Sequence, residues 1–147
     1  MADRNTILIV DDNIEFRRAL REFLSQEPDL QIVGEAGNLR EAIRCIGIVS
    51  PHLVLTDLSM PDARGVQAVT EISRVYPEVK ILVVSSHHER EYQRRCCEAG
   101  ASGYIVKDTV YGELREGIRA VLGGGTCPSA LSAQTVRKAQ TGTDTHQ

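Results

Sequence analysis

The sequence predicts an α/β chain, with a five-stranded parallel sheet covered by helices on both faces. Five short apolar runs rich in Val, Ile and Leu recur before Asp108. Stretches with helical periodicity separate them, and Pro or Gly punctuates most of the boundaries. Strands buried on both faces read as continuous apolar runs, and strands alternating with helices of this length make βα units.

Taken in order, Thr6-Ile7-Leu8-Ile9-Val10 is too short for a helix and reads as the first strand. Residues 14–25 set Phe16, Ala19, Leu20, Phe23 and Leu24 on one helical stripe, and Pro28 closes the segment. Residues 30–36 form a second strand with only partial alternation. Asn38 followed by Glu41 is a capping-box-like start for a helix to about residue 48, with Ala42, Ile43 and Ile46 inward. Pro51 then introduces the third strand, residues 52–56.

Gly65 opens a helix with Val66, Val69, Ile72 and Val75 on one face, stopped by Pro77. Residues 80–85 make the fourth strand, and a charged helix over about 88–98 ends at Gly100. Gly103-Tyr104-Ile105-Val106-Lys107 is the fifth strand. Residues 111–122 form the last helix, with Leu114, Ile118, Val121 and Leu122 inward. Right-handed connections leave few topologies for five such units.

The chain of 147 residues is long enough for one domain with a true core. Composition shifts at Gly123-Gly124-Gly125, which divides a domain over 1–125 from a polar tail over 126–147. That tail has room for a short helix around 130–139 before a linker-like end. A net charge of −3 excludes the basic footprint of a strong nucleic-acid binder. Cys45, Cys96, Cys97 and Cys127 lack zinc-site spacing and are expected to be reduced structural thiols. No signal peptide or 18-residue apolar span occurs, so the expectation is a cytoplasmic protein with no membrane partner.

In an open α/β sheet, ligands bind at the carboxyl ends of the strands. Here those ends carry Asp11 and Asp12 after the first strand, Asp57 after the third, Ser85 at the fourth and Lys107 at the fifth. An unpaired buried carboxylate costs several kcal/mol, so clustered acids of this kind need a cation, a donor or a task. A hard divalent cation such as Mg²⁺ wants oxygen ligands and needs only one or two carboxylates. With it, Asp57 can stay ionised as a nucleophile and form an acyl-phosphate. Lys107 and Ser85 would then meet the phosphoryl oxygens, in a reaction that is mostly positioning and charge stabilisation.

Val10-Asp11-Asp12, Asp57-Leu58-Ser59-Met60-Pro61, Ser85 and Gly100-Ala101-Ser102-Gly103-Tyr104-Ile105-Val106-Lys107 together resemble a response-regulator receiver domain of two-component signalling. The resemblance covers about residues 5–125 and implies the flavodoxin-like receiver fold, strand order 2-1-3-4-5. It implies Asp57 as phosphoacceptor, with a sensor histidine kinase as donor. Asp12, Asp57 and the Ser59 backbone carbonyl would hold Mg²⁺, and Asp11 would act through water. Ser85 and Tyr104 match the hydroxyl–aromatic pair that rearranges on phosphorylation.

Gly-Ala-Ser-Gly-Tyr with Lys107-Asp108 narrows the likeness to regulators with a LuxR-type helix-turn-helix, the NarL/FixJ family. DNA would then be bound only through an output domain that this chain does not include. Truncation within the linker is the expectation, and a stand-alone receiver is the alternative. A homodimer would use the helix 4–strand 5–helix 5 face or the helix 1–helix 5 face. The protein is expected to be a switch rather than a turnover enzyme.

Rival readings lose on particular residues. A haloacid-dehalogenase-like phosphohydrolase wants a second acid two positions after its nucleophile, where this chain has Ser59. A flavin binder of the same sheet order wants Ser, Thr and Gly after strand one, where Asp11-Asp12-Asn13 would repel phosphate. His87-His88 resemble a metal pair but read better as a polar loop at a helix start; His87 lies close enough to the site to tune phosphoryl lifetime. Arg90, Arg94 and Arg95, interleaved with Glu89, Glu91 and Glu98, read as a solvated face open to a partner.

Overall fold

The apolar runs become strands, since a segment apolar on both sides is best buried between two helical layers. A computed structural model describes residues 4–125 of the protein. In chain order its elements are β1 (Asn5–Val10), α1 (Ile14–Leu24), β2 (Leu30–Ala36), α2 (Leu39–Val49), β3 (Leu53–Thr56), β4 (Ser59–Met60), β5 (Ala63–Arg64) and α3 (Gln67–Val75). They continue with β6 (Lys80–Ser85), α4 (Arg90–Ala99), β7 (Gly103–Val106), a single 3₁₀ turn at Lys107–Thr109 and α5 (Val110–Leu122).

The main sheet is parallel throughout, in the order β2-β1-β3-β6-β7. Counting only its own five strands, that is the expected order 2-1-3-4-5. The tail over 126–147, with its expected helix around 130–139, lies outside the described residues. Among the described residues no helix is long and apolar enough to cross a membrane.

Alternation along each strand splits the core in two. Ile7, Ile9, Leu55, Leu82 and Ile105 face α1 and α5, meeting Leu20, Leu24, Leu114 and Ile118. Leu8, Val10, Val54, Val83 and Val106 face the other way, against Ala42 and Ile46 of α2, Val69 and Ile72 of α3 and Cys96 of α4. Adjacent residues of one strand thus serve opposite layers, as a pleat of period two requires. The partial alternation of the second strand has a physical reason, a register shift against β1 between Ile7 and Leu8.

Caps set the helix starts. The Asn13 side chain accepts from the backbone N–H of Glu15 and Phe16 at the head of α1. Asn38 Oδ1 accepts from the Glu41 N–H at 2.8 Å. Glu41 reaches back not to the cap residue, as a strict capping box would, but to the Gly37 N–H at 2.9 Å. A third acceptor comes from far away in sequence: Asp62, in the turn between β4 and β5, takes the Leu39 and Arg40 N–H groups at 2.8 and 3.0 Å. Those bonds hold the Asp62 carboxyl below the usual carboxylate range.

Three details differ from expectation. The β4–β5 hairpin has no sequence signal, because two-residue strands carry no periodicity. Val75 is 40% exposed, and Ala68 instead completes the buried face of α3 with Val69 and Ile72. Cys45 and Cys96 are free thiols, but Cys97 is disulfide-bonded, against the expectation of four reduced cysteines. Ionic contacts tie α5 to the α1–β2 connection. Arg119 Nη2 meets Glu27 at 2.8 Å and Asp29 at 2.9 Å, and Arg115 also pairs with Glu27.

Gly100 ends α4 at φ 121°, and a Cβ there would lie 2.4 Å from Ser73 Oγ. Only glycine takes that conformation without strain. Gly100→Ala is therefore expected to destabilise the protein by about 1–3 kcal/mol in urea unfolding. A change below about 0.5 kcal/mol, the range of an ordinary surface substitution, would contradict the strain argument.

Candidate functional site

Strand β1 leaves the sheet at Asp11 and β3 at Asp57, and the two strands are neighbours with Val10 beside Thr56. The Asp57 N–H donates to the Val10 carbonyl at 3.0 Å, and the Asp11 N–H donates to the Ala36 carbonyl at 3.0 Å. The chain reverses its direction of strand addition at β1, so this edge is the topological switch point of the sheet. The parallel ladder itself brings the acids together.

Asp11, Asp12 and Asp57 each offer a carboxylate oxygen within 4.8 Å of the others. Asp11 and Asp57 are buried, at 2% and 6% exposure, while Asp12 faces solvent. Lys107 Nζ lies 2.9 Å from Asp11 Oδ2 and 3.3 Å from Asp57 Oδ2. Its ammonium also stands 4.4 Å from the centroid of the Phe16 ring. The Leu58 N–H donates to Asp57 Oδ1 at 2.7 Å, and the Asn13 N–H to Asp11 Oδ1 at 2.9 Å. Both Asp11 oxygens are therefore engaged. Asp12 makes no side-chain hydrogen bond or ion pair among the described residues.

Three carboxylates face one ammonium, so the ionised site is short of positive charge. Burial pushes the Asp57 carboxyl above the usual carboxylate range, and the Asp11 carboxylate adds to this. Lys107 and the Leu58 N–H oppose the shift without cancelling it. For Lys107, burial disfavours the ammonium, but the Asp11 hydrogen bond and the Asp57 charge outweigh it and the shift is upward. The lysine stays charged, and a hard, oxygen-seeking cation fits the remaining deficit.

Ser85 is fully buried, and its Oγ accepts the His87 N–H at 3.1 Å. Tyr104 is 4% exposed and lies on the α2–α3–α4 side of the sheet, where its hydroxyl donates to the His87 carbonyl at 2.8 Å. Burial pushes its phenol up to about 12, so it remains a donor at neutral pH. One backbone unit, His87, thus joins both members of the expected pair. The His87 ring stacks on Tyr92, with centroids 4.1 Å apart and an 18° interplanar angle. His88 sits 3.1 Å from Asp108 rather than beside a metal ligand set. Ser59 lines an open cavity of about 440 Å³ together with Asp12.

The structure adds residues that the sequence reading missed. Asn13 and Phe16 brace the site from α1. Arg17 donates to the Asp11 carbonyl and pairs with Glu35 at 3.0 Å. Asn13 carried a signal, an Asn just ahead of an amphipathic stripe. Arg17 and Glu35 carried none, being far apart in sequence and typical of a solvated face.

Comparison with known proteins agrees with the geometry. The model of the response regulator receiver domain family matches residues 7–119. The chain is 33% identical over 119 residues to the transcriptional regulatory protein DegU of Brevibacillus brevis, covering 81% of this chain and 50% of that protein. It is 40% identical over 118 residues to the transcriptional regulatory protein YhcZ of Bacillus subtilis, covering 80% and 55%. Among solved structures, a LuxR-family two-component response regulator from Aurantimonas sp. SI85-9A1 superposes with a TM-score of 0.83 at 29% identity, covering 95% of this chain and 99% of that one. The receiver domain of the putative response regulator NarL of Mycobacterium tuberculosis gives 0.77 at 26%, covering 84% and 99%. The chain spans about half the length of the curated relatives it matches.

The raised Asp57 carboxyl makes a prediction about stability. A carboxyl raised in the folded state favours folding by its proton at low pH, and that gain is lost as pH rises through the folded-state value. Above it, the buried charge is a cost. Asp57→Asn is therefore expected to raise stability by roughly 1 kcal/mol at pH 7, the ordinary size of a single-site effect. The gain should shrink as pH falls toward the usual carboxylate range. Denaturant unfolding at pH 7 and pH 4 checks this, and a less stable variant at pH 7 would overturn it.

Proposed function

The chain belongs to the response regulator receiver domain family, and on that basis we propose that Asp57 accepts a phosphoryl group from the phosphohistidine of a sensor histidine kinase. The observation that supports this most directly is the buried Asp57 carboxylate, which shares one ammonium with Asp11 at the carboxyl edge of the sheet. An Asp57 oxygen attacks phosphorus as the bond to the donor nitrogen breaks. The Lys107 ammonium, already beside Asp57, meets charge on the incoming phosphoryl oxygens. The Ser85 hydroxyl supplies a hydrogen bond to another of them.

Mg²⁺ is the proposed cofactor, and the all-oxygen donor set of Asp11, Asp12 and Asp57 fits it. Asp12 and Asp57 would hold it directly, with the Ser59 carbonyl. Asp11 would act through water, a division supported by the engagement of both its oxygens. When bound, the ion supplies neutralising charge to acids and phosphoryl group alike. The new charge on Asp57 would draw Ser85 toward it and change the His87 backbone contacts that Tyr104 reads.

The domain is proposed to span 1–125 and the linker 126–147, with output through a DNA-binding partner domain, as the names of the transcriptional relatives suggest. The role is a switch that catalyses only its own phosphorylation and dephosphorylation.

Incubation with a small phosphodonor and Mg²⁺ is expected to add one phosphoryl mass to the wild type and none to Asp57→Asn. A gain that survives Asp57→Asn would refute the assignment. Independently of that chemistry, calorimetric titration should show Mg²⁺ binding weakened by at least tenfold in Asp12→Ala, on the order of one lost carboxylate ligand. Unchanged affinity would remove Asp12 from the ligand set.

A further inference from the structure

The cavity that Asp12 and Ser59 line is bounded on one side by Pro61 and Arg64 of the β4–β5 hairpin, and on the other by the stacked His87 and Tyr92 rings. It holds about 440 Å³, room for a small molecule beside the acidic cluster. Among the described residues Arg64 is the only lysine or arginine on its wall. Its side chain is exposed and forms no ion pair among the described residues, unlike Arg17, Arg21, Arg94, Arg115 and Arg119. A guanidinium left unpaired over a cavity next to three carboxylates is available to an anion that enters there.

We propose that Arg64 is a specificity residue that favours phosphodonors whose leaving group departs as an anion. The proposal rests on Asp57 being the phosphoryl acceptor. Because the attacking and departing atoms lie roughly in line across phosphorus, the leaving group points away from Asp57 and outward from the sheet edge. The cavity adjoins that edge through Asp12 and through Leu58 and Ser59, the two residues that follow Asp57.

The chemistry distinguishes donors by charge. From acetyl phosphate, the bond between phosphorus and the Asp57 oxygen forms while the bond to the acyl oxygen breaks. Acetate leaves with the electron pair and a negative charge, and no proton is required. From phosphoramidate, the phosphorus–nitrogen bond breaks and the already protonated nitrogen leaves as neutral ammonia. Arg64 stabilises the first departure and has no charge to meet in the second.

The test measures second-order phosphorylation rates with both donors and Mg²⁺, in wild type, Arg64→Gln and Arg64→Lys. Arg64→Gln should lose roughly three- to fivefold with acetyl phosphate, the reach of one exposed charge contact, and nothing measurable with phosphoramidate. Arg64→Lys should restore most of the loss, and the loss should fade in high salt, where exposed charges are screened. Equal slowing with both donors, or none with either, would overturn the proposal while leaving Asp57 as acceptor. Failure of the wild type to take a phosphoryl group from either donor would overturn the acceptor reading, and this one with it.

Discussion

Lys107 is the cation on which the carboxyl edge of the sheet depends. Its ammonium lies within 3.3 Å of both Asp11 and Asp57, two buried acids that would otherwise repel across a narrow crevice. Coulomb repulsion between buried like charges is strong where water is excluded, so one cation has to serve both. Phe16 of α1 presents its ring to the same ammonium, and the 3₁₀ turn at Lys107–Thr109 sets the lysine at the end of β7. Strand, helix and turn converge on a single positive charge. It neutralises the acids only in part, and the remaining deficit makes the edge receptive to a further cation.

The fold was legible in the sequence because its signals are local. Ile7 to Val10 and Leu53 to Leu55 are apolar without interruption, and each run lies buried in the sheet. The Asn38 cap and the Gly100 stop were equally readable, since each acts within one helical turn of its own position. What escaped depends on distant partners. Asp62 reads as a turn residue, yet it caps a helix whose first residue is Leu39. Val75 matches the helical stripe, but α3 is rotated so that Ala68 takes the buried place. Periodicity gives a face, not its angle to the layer beneath.

The site followed the same division. Asp11, Asp12, Asp57, Ser85 and Lys107 were recognisable because a parallel sheet brings strand ends to one edge whatever lies between them. The supports of that edge were not. Arg17 gains its role by reaching the Asp11 carbonyl while held by Glu35 of β2, a contact invisible without the register of the sheet. The β4–β5 hairpin likewise gives no periodic signal, yet it forms one wall of the cavity beside Asp12 and caps α2 through Asp62. A displacement of this hairpin would be felt at both places.

The ion pairs from Arg115 and Arg119 to Glu27 and Asp29 fix something other than stability. They brace the last helix at two points one turn apart, against the connection that enters β2. A strut held at two points resists rotation about its own axis as well as tilting. The C-terminal end of α5, at Leu122, therefore has a defined position and heading relative to the sheet. Mechanically, α5 is a strut rather than a hinge, and a change in its seating against β7 would displace the helix as one body.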